Sequence, residues 1–350
     1  MSAPTSRDAP AVTVADRSEG ELIARISDRL PARPDWIPVG IGDDAAVVEP
    51  ERNRLEVLSV DALVEGVHFD RAFTPPAAIG HRALAVNLSD LAAMGATPRL
   101  ALVSLALPRS LSLAEFDGIM ESLITLAGRC RIAIAGGNLT RIDGPLVIDI
   151  TVLGTVKRRQ VLTRSGARAG DDLYVSGTVG TAAAGLQMLQ ARARPSATGD
   201  ATDRASSGES CINRYLYPEP RLRLGSLLGR NRAAMACMDS SDGLADAVRQ
   251  LAEASGVGAT IEAEAVPLEA DARRWFEQRG SDAVREAITG GDDYELLIAV
   301  RPRVRGRLTA ALRHGGTPLT RIGTCTADRA LVLRQNGAAQ PLPRGYSHFR

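Results

Sequence analysis

Five short acidic clusters at predicted loop or helix ends constrain the fold of this chain more than any other feature. They are Gly42-Asp43-Asp44, Ser59-Val60-Asp61, Asn87-Leu88-Ser89-Asp90, Asp239-Ser240-Ser241-Asp242 and Gly291-Asp292-Asp293. Carboxylates that share one site repel each other, by about 4 kcal/mol for two unit charges at close range near a protein surface. If the fold brings these clusters together, bound cations must hold them there. Oxygen ligands favour hard divalent ions, and magnesium in turn indicates phosphate chemistry.

Length and composition narrow the class of protein. A chain of 350 residues with 45% hydrophobic and 24% charged residues is typical of a globular protein with two domains. The net charge of +1 and the 3% aromatic content argue against nucleic acid as a partner. Four cysteines without a C-x-x-C pair argue against a zinc site or disulfide framework and favour a reducing compartment. No stretch reads as a signal peptide or a membrane span, so we expect no membrane association and a cytoplasmic location.

Lysine is almost absent from the chain. Lys157 is the only one among the 42 lysines and arginines, and no G-x-x-x-x-G-K-[ST] segment exists. A P-loop nucleotide site is therefore excluded. Schiff-base chemistry is also disfavoured, because Lys157 stands beside two arginines in what reads as a solvated basic turn.

The sequence divides into a tail and two domains. We predict a disordered N-terminal tail over 1–17, an N-terminal domain over 18–157 and a C-terminal domain over 158–350. The boundary lies where basic and glycine residues break the alternation of strands and helices. A stretch rich in small and polar residues over 192–210 is predicted to be a flexible insertion. Both halves mix strands with helices, so the predicted fold class is α/β, or α+β.

Three aspartates are candidates for a shared cation site. Asp61 and Asp239 each follow an apolar run that reads as a strand. A carboxylate at the carboxyl end of a strand points into the crevice where ligands of α/β sheets bind, although a turn former or helix N-cap is the alternative. Asp90 lies inside a predicted helix, one turn after Asn87. An inward-facing carboxylate there needs a partner such as a metal ion; an exposed polar face is the alternative.

Other motifs carry weaker signals. Gly136-Gly137-Asn138 follows a predicted strand and would let backbone amides approach a phosphate, but a plain turn fits equally well. Gly177-Thr178-Val179-Gly180 breaks the G-x-G-x-x-G spacing and predicts a tight strand-to-helix turn. Arg164 could offer its fork to phosphate oxygens. His68 lies between apolar residues, which is more typical of a structural histidine, and Tyr346 is either a solvent-facing ring or a lid.

Taken in order, several segments resemble the thiamine-monophosphate kinase family. They are Gly40-Ile41-Gly42-Asp43-Asp44-Ala45-Ala46, Ser59-Val60-Asp61 with His68-Phe69, Ala85-Val86-Asn87-Leu88-Ser89-Asp90-Leu91-Ala92-Ala93-Met94-Gly95-Ala96, Leu162-Thr163-Arg164-Ser165-Gly166-Ala167, Ser241-Asp242-Gly243-Leu244, Gly290-Gly291-Asp292-Asp293-Tyr294-Glu295-Leu296 and Gly345-Tyr346-Ser347-His348-Phe349. The resemblance runs from about residue 18 to the end and is interrupted by 192–210. The segments around Asn87 and Tyr294 are its specific parts.

The resemblance implies a fold, an activity and a set of ligands. The fold would be a homodimer of two-domain α/β subunits, similar to aminoimidazole ribonucleotide synthetase, with the N-terminal domain at the dimer interface. ATP and several Mg²⁺ ions would bind between the domains. The γ-phosphoryl group of ATP would pass directly to thiamine monophosphate, which gives thiamine diphosphate. No general base is expected, because the acceptor phosphate has a second pKa of about 6 and is largely ionised at neutral pH.

Site residues follow from the resemblance position by position. The implied metal ligands are Asp44, Ser59, Val60 (by its backbone), Asp61, Asp90, Asn138, Asp239 and Asp242. The implied ATP contacts are Gly137, Asn138, Arg164 and Ser241. The implied thiamine monophosphate contacts are His68, Asp292 and Tyr346.

This chain departs from the family pattern at three places. Asn138 stands where aspartate is usual, Val60 where a side-chain oxygen is frequent, and Asp292 where glutamate is frequent. The uncharged Asn138 amide would weaken one metal site. Two alternatives stay open. One is another ATP-using synthetase of the same superfamily, which keeps the architecture but has a different acceptor. The other is a non-catalytic nucleotide-binding sensor weakened at Asn138.

Overall fold

The protein contains two mixed sheets, each with its own helices. The structure, a computed structural model, describes residues 12–193 and 208–346. A four-stranded sheet has the strand order β1-β4-β2-β3, and a seven-stranded sheet has the order β11-β10-β7-β9-β5-β8-β6. The predicted two-domain α/β class is confirmed. No helix within the described ranges is long and apolar enough to cross a membrane.

The N-terminal domain contains the four-stranded sheet. Its elements are α1 (Glu19–Ser27), β1 (Leu55–Val64), α2 (Pro76–Ala93), β2 (Thr97–Pro108), α3 (Leu113–Cys130), β3 (Ala133–Ile142) and β4 (Val147–Val156). Strands β2 and β3 are parallel, and the other pairs are antiparallel. The inner face of the sheet packs against α2 and α3, where residues such as Ile150, Leu88 and Leu123 are fully buried.

Helix α2 is buried on almost all sides, because it lies between the first sheet and the C-terminal domain. Most of its side chains are apolar, which suits such a place, and the buried polar Asn87 and Ser89 are hydrogen-bonded. Gly80 permits a close crossing with α3: a Cβ atom there would lie 1.9 Å from the Ile119 carbonyl oxygen. At the other end, Met94 closes the helix and Gly95 follows with a φ of 68°, the left-handed conformation predicted for a glycine after a helix.

The C-terminal domain contains the seven-stranded sheet. Its elements are β5 (Asp172–Ser176), α4 (Thr181–Ala193), α5 (Glu209–Leu216), α6 (Leu222–Asn231), β6 (Ala236–Asp239), α7 (Leu244–Ser255), β7 (Gly258–Glu262), α8 (Ala270–Glu277), α9 (Ala283–Thr289), β8 (Leu296–Val300), α10 (Arg305–Gly315), β9 (Leu319–Thr326), β10 (Leu331–Gln335) and β11 (Ala338–Pro341). Strands β7 and β10 are parallel, and the other pairs are antiparallel.

The predicted tail is not disordered throughout. Residues 1–11 lie outside the described ranges, but a 3₁₀ turn follows at Val14–Asp16. Val14 is buried, and its N–H donates to the Leu111 carbonyl at 2.9 Å. The prediction of disorder is therefore wrong for residues 12–17. This segment is too short to show a hydrophobic period, and it is ordered by the burial of the single residue Val14. Of the predicted insertion, 194–207 lie outside the described ranges, while 192–193 continue α4 and 209–210 begin α5.

Two predicted strand ends are wrong. Asp61 lies in the interior of β1, opposite Ile150 of β4, and not after the strand. Gly136-Gly137-Asn138 lies within β3 and not in a turn. In both cases the hydrogen-bonded pairing with a neighbouring strand, β4 for Asp61 and β2 for the glycines, extends past the polar or glycine residues that suggested a strand end.

Candidate active site

A cleft of about 1290 Å³ opens between the two domains. Its walls come from β1 and α2 on one side and from β6, α4, α9 and the C-terminal segment on the other. The predicted site residues that line it are Ser59, Val60, Asp61, His68, Asp90, Arg164, Asp239, Ser241, Asp242, Asp292 and Tyr346. Asp44, Gly137 and Asn138 do not. The fold thus brings together most of the residues that the sequence places between 59 and 346.

An acidic end of the cleft is formed by Asp61, Asp90 and Asp239. Burial raises the pKa of Asp61 to about 7, and the neighbouring Asp90 and Asp239 charges add to the effect. Burial and Asp90 also raise the pKa of Asp239 to about 6, although a hydrogen bond from Ser89 opposes the shift. Asp239 is 4% exposed, whereas Asp61 keeps an exposed side where solvent screens part of the repulsion. The three carboxylates are close enough to repel one another.

Helix α2 positions this end of the cleft. Ser89 Oγ donates to Asp239 Oδ2 at 2.6 Å, and Ser59 Oγ donates to Asp90 Oδ2. Asn87 Oδ1 accepts the Asp61 N–H at 3.0 Å. Both Asn87 and Ser89 are fully buried. The face of α2 that carries them turns inward, which excludes the exposed polar face considered for this helix.

The donor set suits a hard divalent cation. It offers carboxylate and hydroxyl oxygens from Ser59, Asp61, Asp90 and Asp239, and crowded negative charge that a cation would neutralise. Within the described residues, no group of three or more His, Cys, Asp or Glu side chains is already drawn together as a metal cage. The carboxylates are therefore poised near one another and are not arranged as a closed site.

A second set of polar groups in the cleft is organised around Asp292. Arg82 Nη2 donates to Asp292 Oδ1 at 2.9 Å, and Tyr294 Oη donates to the same oxygen at 3.2 Å. Asp292 N–H donates to the Ser241 carbonyl at 2.8 Å. The φ of Asp292 is 70°, a strained conformation for a residue with a side chain. Several contacts thus hold this carboxylate at the cleft wall.

His68 and Tyr346 lie at the same cleft. His68 Nδ1 accepts the Val64 N–H at 3.1 Å, which places the proton of the neutral ring on Nε2. Tyr346 is half exposed, and its N–H donates to the Asp242 carbonyl at 3.1 Å. The C-terminal segment is therefore fastened beside the loop after β6, and the Tyr346 ring is a wall residue of the cleft.

Arg164 also lines the cleft, where its positive charge partly opposes the rise in the pKa of Asp239. Its Nη1 donates to Gln250 Oε1 at 2.7 Å. A guanidinium fixed at the cleft wall near the Asp239 carboxylate is suited to a polyanion that also binds a cation. The arrangement can hold a triphosphate between Arg164 and a metal-loaded acidic end.

Gly137 and Asn138 are remote from Asp61 within one chain. Gly137 and Asp61 share a row across the sheet through Val103 and Ile150, on strands at opposite edges. Three strand spacings separate them by about 14 Å. A Cβ atom on Gly137 would lie 1.8 Å from the Val103 carbonyl oxygen, so close strand packing already requires a glycine there. One ion at Asp61 cannot also contact Asn138 of the same chain.

Val60 and Asn138 share the outer face of the first sheet. Successive residues of a strand point to opposite faces, so the Val60 side chain, which is 57% exposed, points away from that of Asp61. Asn138 lies in a row with Ala62 on the same outer face. Asp44, in the loop before β1, is exposed and also lies outside the cleft. The ligand roles of Asp44, Val60, Gly137 and Asn138 stay predictions.

Sequence reasoning missed the partners that hold these groups. Arg82, Tyr215 and Ser89 each bind a site residue that is far away in sequence, so these contacts leave no local pattern. Tyr294 binds Asp292 only two positions before it, through side chains whose contact the sequence does not indicate. The last acidic cluster also has two separate roles. Asp293 is buried, and it accepts the N–H groups of Gly180 at 2.5 Å and Ala182 at 3.0 Å. The first turn of α4 is thereby capped.

The comparisons with known proteins agree with this geometry. Residues 42–156 match the AIR synthase related protein, N-terminal domain, and residues 168–336 match the AIR synthase related protein, C-terminal domain. Thiamine-monophosphate kinase of Escherichia coli (strain K12) is 40% identical over 334 residues, which cover 95% of this chain and 98% of that protein.

Two solved structures extend the similarity to the fold. The crystal structure of thiamine-monophosphate kinase from Stenotrophomonas maltophilia K279a matches with a TM-score of 0.79 and 38% identity, over 92% of this chain and 98% of that one. AaThiL complexed with AMPPCP and TMP matches with a TM-score of 0.73 and 30% identity, over 95% of this chain and 97% of that one. On these grounds, and on the cleft that gathers its motifs, the chain belongs to the thiamine-monophosphate kinase family.

Proposed function

We propose that this protein transfers the γ-phosphoryl group of ATP to thiamine monophosphate with the help of Mg²⁺, which gives thiamine diphosphate. The observation that carries the proposal is a single cleft with an acidic end at Asp61, Asp90 and Asp239 and a second set of polar groups at His68, Asp292 and Tyr346. The related AaThiL was solved in complex with AMPPCP and TMP, which supports two ligands in such a cleft.

The acidic end would hold magnesium, with Ser59, Asp61, Asp90, Asp239 and Asp242 as the donor side chains on the cleft wall. Magnesium supplies charge neutralisation at the phosphate oxygens. Arg164 adds a fixed positive charge at the same wall, where it offers N–H donors to phosphate. Electrostatic stabilisation and in-line positioning are the main requirements of phosphoryl transfer.

The acceptor would be held by the second set of groups. His68, whose ring is fixed through Nδ1, and Tyr346 both line the cleft, and Asp292 offers a carboxylate fixed by Arg82 and Tyr294. No side chain needs to remove a proton, because a phosphate monoester has a second pKa of about 6. The chain's contribution is therefore to bind and align the two phosphates.

The direct test is to incubate the purified protein with ATP, Mg²⁺ and thiamine monophosphate and to measure thiamine diphosphate. We expect product that depends on all three components and that is lost in Asp239→Asn. ATP binding without product over a wide Mg²⁺ range would contradict the proposal and favour the sensor, for which Asn138→Asp should then restore turnover. ADP formation that thiamine monophosphate does not stimulate would favour a different acceptor.

The protein is also proposed to be a homodimer that buries the outer face of the first sheet. Large apolar side chains stand exposed there: Leu58 is 65% exposed, Val60 57% and Leu102 38%. Leu58 and Val60 lie on β1, an edge strand, and Leu102 lies in the row of Val60. An exposed apolar face of this kind marks an interaction surface. We expect a second copy of the chain to cover this face. The face also carries Asn138, an implied ATP and metal contact that does not line the cleft of its own chain.

A further inference from the structure

Arg82 of α2 is a buried arginine that reaches across the domain interface. Its side chain is 1% exposed, and its Nη2 donates to Asp292 Oδ1 at 2.9 Å. Its Nη1 donates to the Tyr215 carbonyl, and its guanidinium lies over the Tyr215 ring at 4.2 Å from the centroid. All these partners belong to the C-terminal domain. The contact with Asp292 joins residues 210 positions apart.

Stability alone does not explain this arginine. Removing a guanidinium from water is costly, and a buried ion pair is often no more stable than apolar residues of the same volume. Arg82 Nε has no hydrogen-bond partner among the described residues, which adds to the cost. Because burying this charge is unfavourable, we infer that Arg82 has a role other than packing.

The contacts of Arg82 converge on two proposed acceptor ligands. In the described part of the chain, both side-chain hydrogen bonds to the Asp292 carboxylate end on Oδ1, which leaves Oδ2 as the acceptor for a ligand. Tyr215, which lies beneath the Arg82 guanidinium, donates its hydroxyl to the His68 carbonyl at 3.3 Å. One side chain is therefore connected to Asp292 directly and to His68 through Tyr215.

We propose that Arg82 is a positioning residue that fixes Asp292 and His68 as one unit for the acceptor substrate, while the ATP end of the cleft does not depend on it. The inference rests on the proposed function. Asp292 sits in a strained left-handed conformation, and its side chain is 30% exposed at the cleft wall, so it needs a fixed partner to keep one geometry. Arg82 supplies that partner, because its two Nη atoms bind Asp292 and the Tyr215 carbonyl at the same time, and a lysine cannot make both contacts.

The test compares KM values for the two substrates in Arg82→Lys. We expect KM for thiamine monophosphate to rise about tenfold, because a hydrogen bond to a charged group is lost from the acceptor site. KM for ATP should stay within about twofold of the parent value. Arg301→Lys is the matched control, since Arg301 pairs with Asp171 away from the cleft at 3.3 Å and is also largely buried. Both of its KM values should match those of the parent.

Two milder variants keep the proposal falsifiable if Arg82→Lys fails to fold. Tyr294→Phe removes one donor to Asp292 Oδ1, and Tyr215→Phe removes the bond to His68 but keeps the ring below Arg82. Each should raise KM for thiamine monophosphate about threefold and leave KM for ATP unchanged. A parallel rise in both KM values, or no change in either, would overturn the positioning role. A parent protein that makes no thiamine diphosphate would overturn the proposed function and this inference together.

Discussion

At the scale of single residues, Asp61 is unfavourable for the stability of the metal-free protein but is needed for the proposed metal site. Its carboxylate lies near those of Asp90 and Asp239 and has a raised pKa, because burial and like charge both disfavour ionisation. A metal-free protein must therefore tolerate repulsion that a bound cation would remove. Residues that serve a site in this way are often those whose removal stabilises the fold.

We expect Asp61→Asn to stabilise the metal-free protein by about 1 kcal/mol and to reduce activity by at least about 100-fold, because it removes both the repulsion and a metal ligand. Urea unfolding in a chelator and a thiamine diphosphate assay measure the two effects. Asp143→Asn is the matched control, since Asp143 forms an exposed pair with Arg109 and should change neither quantity noticeably. Equal or lower stability of Asp61→Asn would show that the three carboxylates do not repel.

The sequence predicted several residues of the cleft wall where a motif contained them, although Asp44 of the first acidic cluster lies outside the cleft. It did not indicate partners that are distant along the chain. Asp90, Asp239 and Asp292 stood out as members of acidic clusters, and they do line the cleft. Arg82 did not, because an arginine in a helix has no local sign that it will be 1% exposed. Its partner is set by the packing of one domain on the other.

At the scale of elements, α2 connects the two domains at several points along its length. Ser89 binds Asp239 near the C-terminal end of the helix, and Arg82 binds Asp292 two turns earlier. Next to Arg82, His81 Nε2–H donates to the Pro218 carbonyl at 2.8 Å. A shift of α2 would therefore move the acidic end and the acceptor end of the cleft together.

The His81 contact predicts a pH dependence. Burial lowers the pKa of His81 below its usual 6.5, and the nearby positive charges of Arg129 and Arg82 lower it further. The hydrogen bond to the Pro218 carbonyl and the Glu219 charge raise it, but by less. The folded state thus binds fewer protons than the unfolded state below about pH 6.5, so the contribution of His81 to stability is present above that pH and is lost on acidification. The parent should lose more stability than His81→Gln between about pH 7.5 and pH 5.5.

Urea unfolding of both proteins at the two pH values checks this expectation. Other titrating groups are common to the pair and cancel in the difference. If the two proteins lose equal stability on acidification, the docking of α2 on the segment after α5 does not depend on a neutral His81.

The cap on α4 gives a second element-scale prediction. Asp293→Ala would leave the N–H groups of Gly180 and Ala182 without acceptors inside the protein, so we expect a loss of about 2–3 kcal/mol in unfolding free energy. Asp282→Ala is the control, because Asp282 caps α9 through Val284 and Arg285 at an exposed position. Its cost should be about 1 kcal/mol. Equal costs would mean that burial of the Asp293 cap adds nothing.

The elements themselves were partly predictable. Helix α1 begins with the Ser18–Glu21 capping box, and α2 ends before Gly95, both as local rules require. The strand positions of Asp61 and Asn138 were not predictable in this way. Their ladders are extended by partners on β4 and β2, so the polar residues that suggested strand ends lie within strands.

At the scale of the whole molecule, the cleft exists because the two domains meet on α2 and the loops after β6 and α9. The change of sheet falls between Val156 and Asp172, the interval that contains the predicted boundary between residues 157 and 158. The outer face of the first sheet has no comparable cover at Leu58, Val60 and Leu102. Hydrophobic periodicity alone could not show which face of the sheet is exposed, because β1 carries apolar residues on both of its faces.

The exposed outer face predicts that Leu58→Asp converts a dimer into a monomer. A charge in an apolar C2 interface occurs once on each copy, so its effect is doubled, and stable interfaces bury about 800 Å² on each partner. Analytical ultracentrifugation of the parent and the variant measures the change. Val12→Asp is the control: Val12 is 49% exposed but lies beside the start of α3, away from this face, so the dimer should persist. A parent that sediments as a monomer, or a Leu58→Asp protein that remains dimeric, would show that the outer face is not where two copies meet.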